Sequence, residues 1–198
     1  LFPDEFELHG SLEQVSKNFN KTGSSTSPFL NTGVMIDSKV YTIKTNPVYK
    51  GKEKPLRDIL VDEKNVEEEF YVNNKDLKKW KYLKNSKQEE RETKDGFKYN
   101  YSEGSMIFPD DLDKASRTII TGEGGSGPSR FKHVIAPPSN PKKLRRLTPI
   151  ELERLNMFPD DHTKLENVSN TKRAFLMGNA LVVGVIKKLG DSLYNFYE

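Results

Sequence analysis

The chain has 198 residues, with 32 Lys+Arg against 29 Asp+Glu, 34 % hydrophobic residues and no cysteine. The lack of cysteine excludes a disulfide framework, a thiolate-ligated zinc or iron–sulfur site and a cysteine nucleophile within these residues. The longest apolar run, residues 180–186, is roughly a third of the about 20 residues a membrane span requires, and no charged start precedes an apolar stretch, so a soluble, cytoplasmic protein without a membrane partner is expected.

In chain order, residues 1–23 show weak helical spacing and residues 21–28 have loop composition, together an N-terminal linker segment over 1–28. The initial residue is Leu, which points to a processed chain or an excised fragment. Residues 29–36 and 39–44 are β-branched and aromatic and read as two strands of a tight hairpin turning at Asp37 and Ser38. A short helical turn is expected at residues 55–60, then an acidic stretch, then a helix capped by Asn74 whose Leu77, Trp80 and Leu83 share a face. Residues 85–104 are polar and lead into an aromatic strand at 97–101; Arg117 to Thr121 reads as another strand.

A glycine loop at 122–128 and a proline-rich loop at 136–141 follow. Beyond Pro141 the character becomes helical. Thr148, Pro149 and Glu151 form a capping box with Pro at the first helical position, and that helix stops before Pro159. A final helix is expected over about 172–189, with Gly190 as its C-cap. The fold class is therefore α+β: a β-rich domain over 29–141 and a helical part over 142–198.

Lys and Arg cluster at 75–84, at 142–146 and at 130–132, while acidic residues gather at 62–69 and 110–113. The mild net charge of +3 permits a nucleic-acid partner without demanding one. Residues 122–127 satisfy Gly-x-Gly-x-x-Gly, but Pro128 and a β-branched segment follow where a dinucleotide fold would open a helix, and Glu123 would face the phosphates. The functional alternative to a plain loop is one whose backbone approaches a nucleic acid, aided by Arg130 and Lys132. His9, His133 and His162 lack ligand spacing, so no metal site is expected; His133 is either a DNA contact or an ordinary structural histidine. No nucleophile–base arrangement is readable, and no catalytic residue is assigned.

The most specific signal lies toward the C-terminus. The stretch from Arg146 through Thr148, Glu151, Arg154, Leu155, Phe158 and Pro159 to Asp161 resembles R-x-L-[ST]-x-x-E-x-x-R-L-x-x-F-P-D, the ninth conserved block of DNA (cytosine-5)-methyltransferases. Downstream, the run from Arg173 through Gly178, Asn179 and Ala180 to Ile186 resembles the tenth block, with Gly184 where that block carries Pro. The region before them resembles the target-recognition segment of bacterial restriction–modification enzymes, Thr118-Ile119 matching its Thr-aliphatic dipeptide. Glu166-Asn-Val168 spells the family's sixth block but lies out of order and is set aside.

The resemblance implies a C-terminal portion of such an enzyme, whose helices would pack back on a Rossmann-like catalytic lobe missing from these residues. The family's Pro-Cys nucleophile, F-x-G-x-G loop and Q-x-R-x-R block are not in this sequence, so the chain alone should not methylate. Implied DNA-facing residues are Arg117, Thr118, Ile119, Thr121, Gly122, Gly124, Gly125, Ser126, Ser129, Arg130, Lys132 and His133, with Arg117 alternatively a surface ion-pair partner. Arg146, Glu151 and Arg154 would organise the recognition segment while Leu155 and Phe158 pack. Gly178, Asn179 and Ala180 would complete the S-adenosylmethionine pocket of the complete enzyme. Its partners would be double-stranded DNA and a catalytic lobe or subunit; the alternative is a stand-alone DNA-binding module.

Overall fold

The computed structural model describes residues 4–18 and 29–197; the loop expected at 21–28 lies outside them. The chain divides into two compact units, residues 1–52 and 53–198, so neither expected boundary, after 28 or after 141, coincides with the break.

In the first unit, β1 (Asp4–Glu7), α1 (Leu12–Asn18), β2 (Thr32–Ile36) and β3 (Lys39–Ile43) form an antiparallel sheet in the order β1-β3-β2 with one short helix. The central strand is the buried one, contributing Val40 and Thr42. Asp37 and Ser38 have φ of 48° and 65°, the pair of left-handed residues a two-residue hairpin requires. Among the described residues, the helical spacing expected over 1–23 is met in α1, where Ser11 and Gln14 cap each other. Residues 4–7 are strand because Phe6 pairs opposite Val40, so this segment is not a linker.

The second unit holds α2 (Leu77–Lys84), β4 (Lys87–Glu92), β5 (Lys98–Glu103), β6 (Val134–Ile135), β7 (Arg145–Arg146), α3 (Pro149–Leu155), α4 (Asn170–Asn179) and α5 (Val183–Tyr197), with short 3-10 turns such as Leu56–Ile59 before α2. Its core joins Leu56, Ile59, Ile135, Leu147, Leu152, Ala174 and Met177, so the turn at 56–59, the β6–β7 pair and helices α3 and α4 close on one another. Trp80 anchors α2 as expected, at 1 % exposure.

Three expectations are corrected. Residues 117–121 form no strand, because no strand of the described residues pairs with them; the Ile120 carbonyl instead accepts from the Glu123 N–H in a turn. The polar stretch after 85 does contain a strand: β4 pairs with β5 through charge, with Lys98 3.4 Å from Glu90 and Arg91 over the Tyr101 ring at 3.4 Å. The single helix expected at 172–189 is two. Ala180 is extended (ψ 151°), and the buried Asn156 bridges the break, donating to the Met177 carbonyl (2.8 Å) while its own carbonyl accepts from the Val183 N–H (3.0 Å). Gly190 accordingly lies inside α5 and caps nothing.

Candidate nucleic-acid interface

The loop from Ser116 to His133 is held by charges turned inward. Arg117 grips Asp110 with two nitrogens (2.8 and 3.1 Å) and donates to the Phe131 and Lys132 carbonyls. Arg130 donates to the carbonyls of Leu83 and Asn85 at the end of α2 and to that of Gly104. Lys132 Nζ reaches back to the carbonyls of Gly125 and Gly127 (3.1 and 2.8 Å), and burial pushes its ammonium below the usual lysine range. His133 is fully buried between Glu123 and Ser116, at 3.0 Å from each; Glu123 also accepts the His133 N–H at 2.6 Å.

Those bonds give several residues of the DNA-facing expectation a role inside the fold. Arg117, Arg130, Lys132 and His133 turn donors to groups within the protein and so set the loop's path. Ile119 packs against the core, and Ser129 accepts from the Phe131 N–H. Gly124 and Gly125 are half-buried, and Gly125 adopts φ 77°. Thr118, Thr121, Gly122 and Ser126 remain exposed. The charge on Glu123 also disposes of phosphate at the glycines, since that carboxylate is already the loop's own internal acceptor.

Two glycines fix where the loop lies. A Cβ on Gly178 would stand 2.5 Å from the Ile120 carbonyl carbon and oxygen and from the Thr121 Cα; one on Gly124 would stand 2.8 Å from the Thr171 Cα and 3.2 Å from the Ala174 Cβ. Thr171, Ala174 and Gly178 follow one face of α4, so residues 120–124 run along that face in backbone contact. The glycine of the tenth block therefore has a packing reason of its own. A cleft of about 400 Å³ opens beside it, lined by Thr118, Ile119, Met177, Gly178, Ala180 and Val182 among others. Asn179 is exposed, its amide donating to the Phe175 carbonyl at 2.9 Å.

The ninth block is a charge-organised scaffold. Thr148 and Glu151 complete the capping box at 3.3 and 2.7 Å. Glu151 also accepts the Val61 N–H and both ends of the Arg145 guanidinium. Arg154 clamps the Ile59 and Leu60 carbonyls and Asp160, holding the Asp160 carboxyl below the usual range. Leu155 and Phe158 pack on the core while Pro159 stays exposed.

Arg146 is the correction: it bonds the Glu69 carbonyl (2.6 Å) and lies over Phe70, and the cation serving Glu151 is Arg145. The signal was in the spacing, because R-x-L ending at Leu147 begins at Arg145. Asp110, whose carboxylate also takes the Val134 N–H, and Asn156 carried no motif by which to find them. Glu166 to Val168 lies in the turn before α4 with Glu166 exposed, apart from the cleft beside Gly178.

A family model described as C-5 cytosine-specific DNA methylase matches residues 31–195. Type II methyltransferase M.Sau3AI of Staphylococcus aureus is 41 % identical over 165 residues, which are 83 % of this chain and 38 % of that protein. The chain thus spans about two fifths of this curated relative's length.

Among solved structures, the Entamoeba histolytica methyltransferase EhMeth superposes with a TM-score of 0.52 at 18 % identity, covering 81 % of this chain and 48 % of that one. The S. pombe Dnmt2 methyltransferase gives 0.51 at 16 % identity over 81 % and 51 %. At these identities the structures speak for the fold alone, but the family model and the staphylococcal relative each cover most of the sequence, and the family model spans both of the blocks described above. The chain belongs to the C-5 cytosine-specific DNA methylase family.

Proposed function

We propose that these residues are the target-recognition part of a DNA (cytosine-5)-methyltransferase, which moves a methyl group from S-adenosylmethionine to carbon 5 of cytosine within a specific duplex sequence. The observation that carries this reading is the combination of a fixed backbone with free side chains. Residues 120–124 are pinned on α4 by Gly124 and Gly178, while Thr118, Thr121, Gly122 and Ser126 stay exposed. Reading bases in a groove demands that arrangement, since a donor or acceptor must arrive at a base edge with little freedom left.

Catalysis needs residues from outside this sequence, because a flipped cytosine is attacked by a thiolate in this family and no cysteine is present here. The helix α5 supports the same division: none of its described residues is buried, and Val183, Val185, Ile186, Leu189, Leu193 and Phe196 are exposed, a surface suited to burial against a catalytic lobe. S-adenosylmethionine supplies the methyl group when bound. Ala180 lines the cleft and fits one edge of its site, with the exposed Asn179 next to it in the chain; Gly178 also lines the cleft but is used against Ile120.

The test is reconstitution. Mixed or joined with a catalytic part carrying the Pro-Cys and F-x-G-x-G blocks, the chain should confer methyl transfer on one duplex sequence, and each part alone should transfer none. Transfer without sequence preference, or none in any combination, overturns the reading. DNA binding indifferent to the methyl donor and to the catalytic part would favour a stand-alone DNA-binding module.

A further inference from the structure

Three basic clusters punctuate the sequence, and two are consumed within the fold. In the cluster at 142–146, Lys143 pairs with Glu68, while Arg145 and Arg146 are buried on carboxylates, a carbonyl and a ring. In the cluster at 130–132, Arg130 and Lys132 hold loop carbonyls. The cations on the strands of the β4–β5 hairpin are likewise matched: Arg91 with Glu89, Lys98 with Glu90, Lys87 with Glu103.

The cluster on α2 differs. Lys75, Lys78, Lys79 and Lys81 are all exposed, and none makes an ion pair among the described residues. At 100° per residue, Lys78, Lys79 and the exposed Tyr82 of α2 fall within an arc of about 100°, and Lys75 precedes them in the 3-10 turn Asn74–Asp76. That arc lies opposite Trp80, which is 1 % exposed and fixes the rotation of the helix. Three unpaired ammonium groups within two turns repel one another, and in a protein of only +3 net charge they create a local field that attracts a polyanion.

The end of this helix is tied to the recognition loop. Arg130 donates to the carbonyls of Leu83 and Asn85, and the buried Lys84 donates to the Lys132 carbonyl at 2.5 Å. The lysine face is therefore tied directly to the C-terminal end of the loop, at Arg130 and Lys132. From this we infer that the outer face of α2 and the turn leading into it form a phosphate-binding rail: Lys75, Lys78 and Lys79 engage the backbone of duplex DNA and set the register at which the loop meets the bases. The inference rests on the DNA-recognition reading above and adds the element that supplies sequence-independent affinity.

The experiment is binding of the full 198-residue chain and of K75Q/K78Q/K79Q to labelled 20-base-pair duplexes, with and without the methylation target, by fluorescence anisotropy across a salt series. Three lost phosphate contacts should flatten the slope of log K against log[salt] by about 2.7, so that the affinity lost on a fourfold rise in salt shrinks by roughly 40-fold. The preference for target over non-target duplex should survive, and the corresponding Lys→Arg triple variant should retain the parental slope. A circular dichroism melt matching the parent's establishes that the Gln variant is folded; an unfolded variant overturns the assumption that these lysines are free of structural duty, and with it the rail. An unchanged slope in the folded variant overturns the rail while target preference leaves the recognition reading intact. No DNA binding by the parent chain overturns both. Weakened association with the catalytic part at unchanged salt slope would assign the face to a protein partner and likewise overturns the proposal.

Discussion

Arg145 and Glu151 face each other as a two-pronged pair at 2.8 and 2.9 Å with no exposure of either side chain, and Glu63 closes the far side of the same guanidinium at 2.8 Å. The pair links the β7 strand to the capped start of α3, which is where the β-rich and helical parts of this unit meet. Removing one partner of a buried pair leaves the other charged and unsolvated. R145M should therefore cost about 3–5 kcal/mol of stability, and K143M, which breaks an exposed pair with Glu68, no more than about 1. Urea unfolding of the two variants decides the matter; equal, small losses would show that the buried network is replaceable.

Much of this arrangement is legible in the sequence. Thr148, Pro149 and Glu151 announce a capped helix because the capping box is local chemistry, complete within four residues. The hairpin at Asp37-Ser38 and the α2 face at Trp80 are local in the same sense. What escapes is whatever depends on a distant partner. Arg117 and Arg130 look like DNA contacts until Asp110 and the carbonyls at Leu83 and Asn85 are brought beside them from up to 47 residues away. The break between α4 and α5 depends on Asn156, 21 residues upstream of the carbonyl it satisfies.

Gly178 and Gly122 make a matched pair for testing the loop's seat. At Gly178 a new Cβ meets backbone at 2.5 Å and nothing can swing aside, so G178A should cost about 1–3 kcal/mol and speed amide exchange in residues 120–124. At Gly122 the nearest atom is the Ile120 Cδ1 at 3.6 Å, ordinary contact, so G122A should change stability by no more than about 0.5 kcal/mol. Hydrogen–deuterium exchange and a thermal melt on both would refute the seat if they responded alike.

Lys84 gives the fold a measurable response to alkali. Burial, with Arg117 nearby, lowers its ammonium from the ordinary 10.5 to about 8. Between those values the unfolded chain holds more protons than the folded one, so stability rises as pH climbs from about 8 toward 10, and the penalty is fully present below about 8. Its size is about 3 kcal/mol. K84M removes the charge but leaves the Lys132 carbonyl bonded to Arg117 at 3.1 Å. The variant should be at least as stable as the parent at pH 7 and should lose the rise by pH 9.5; denaturant curves that run parallel at both pH values would refute this.

Thr118 and Arg130 should part company under alanine substitution in the reconstituted enzyme. T118A should reduce discrimination between target and non-target duplex with a melting temperature close to the parent's. R130A should lower the melting temperature, since it strips hydrogen bonds from three carbonyls at once. Methylation of a panel of single-base variants, read beside a thermal melt, separates the two; a discrimination loss with an unaltered melt in R130A would return that residue to the DNA face.

The seating of residues 120–124 on α4 separates what can vary from what cannot. The route of the chain is written in glycine and buried charge, whereas the side chains presented along it at Thr118, Thr121 and Ser126 are exposed. On the proposed recognition reading, new target sequences would come from exchanging side chains at these three places on an unmoved line of backbone, and a small combinatorial library confined to them tests that with little toll on folding.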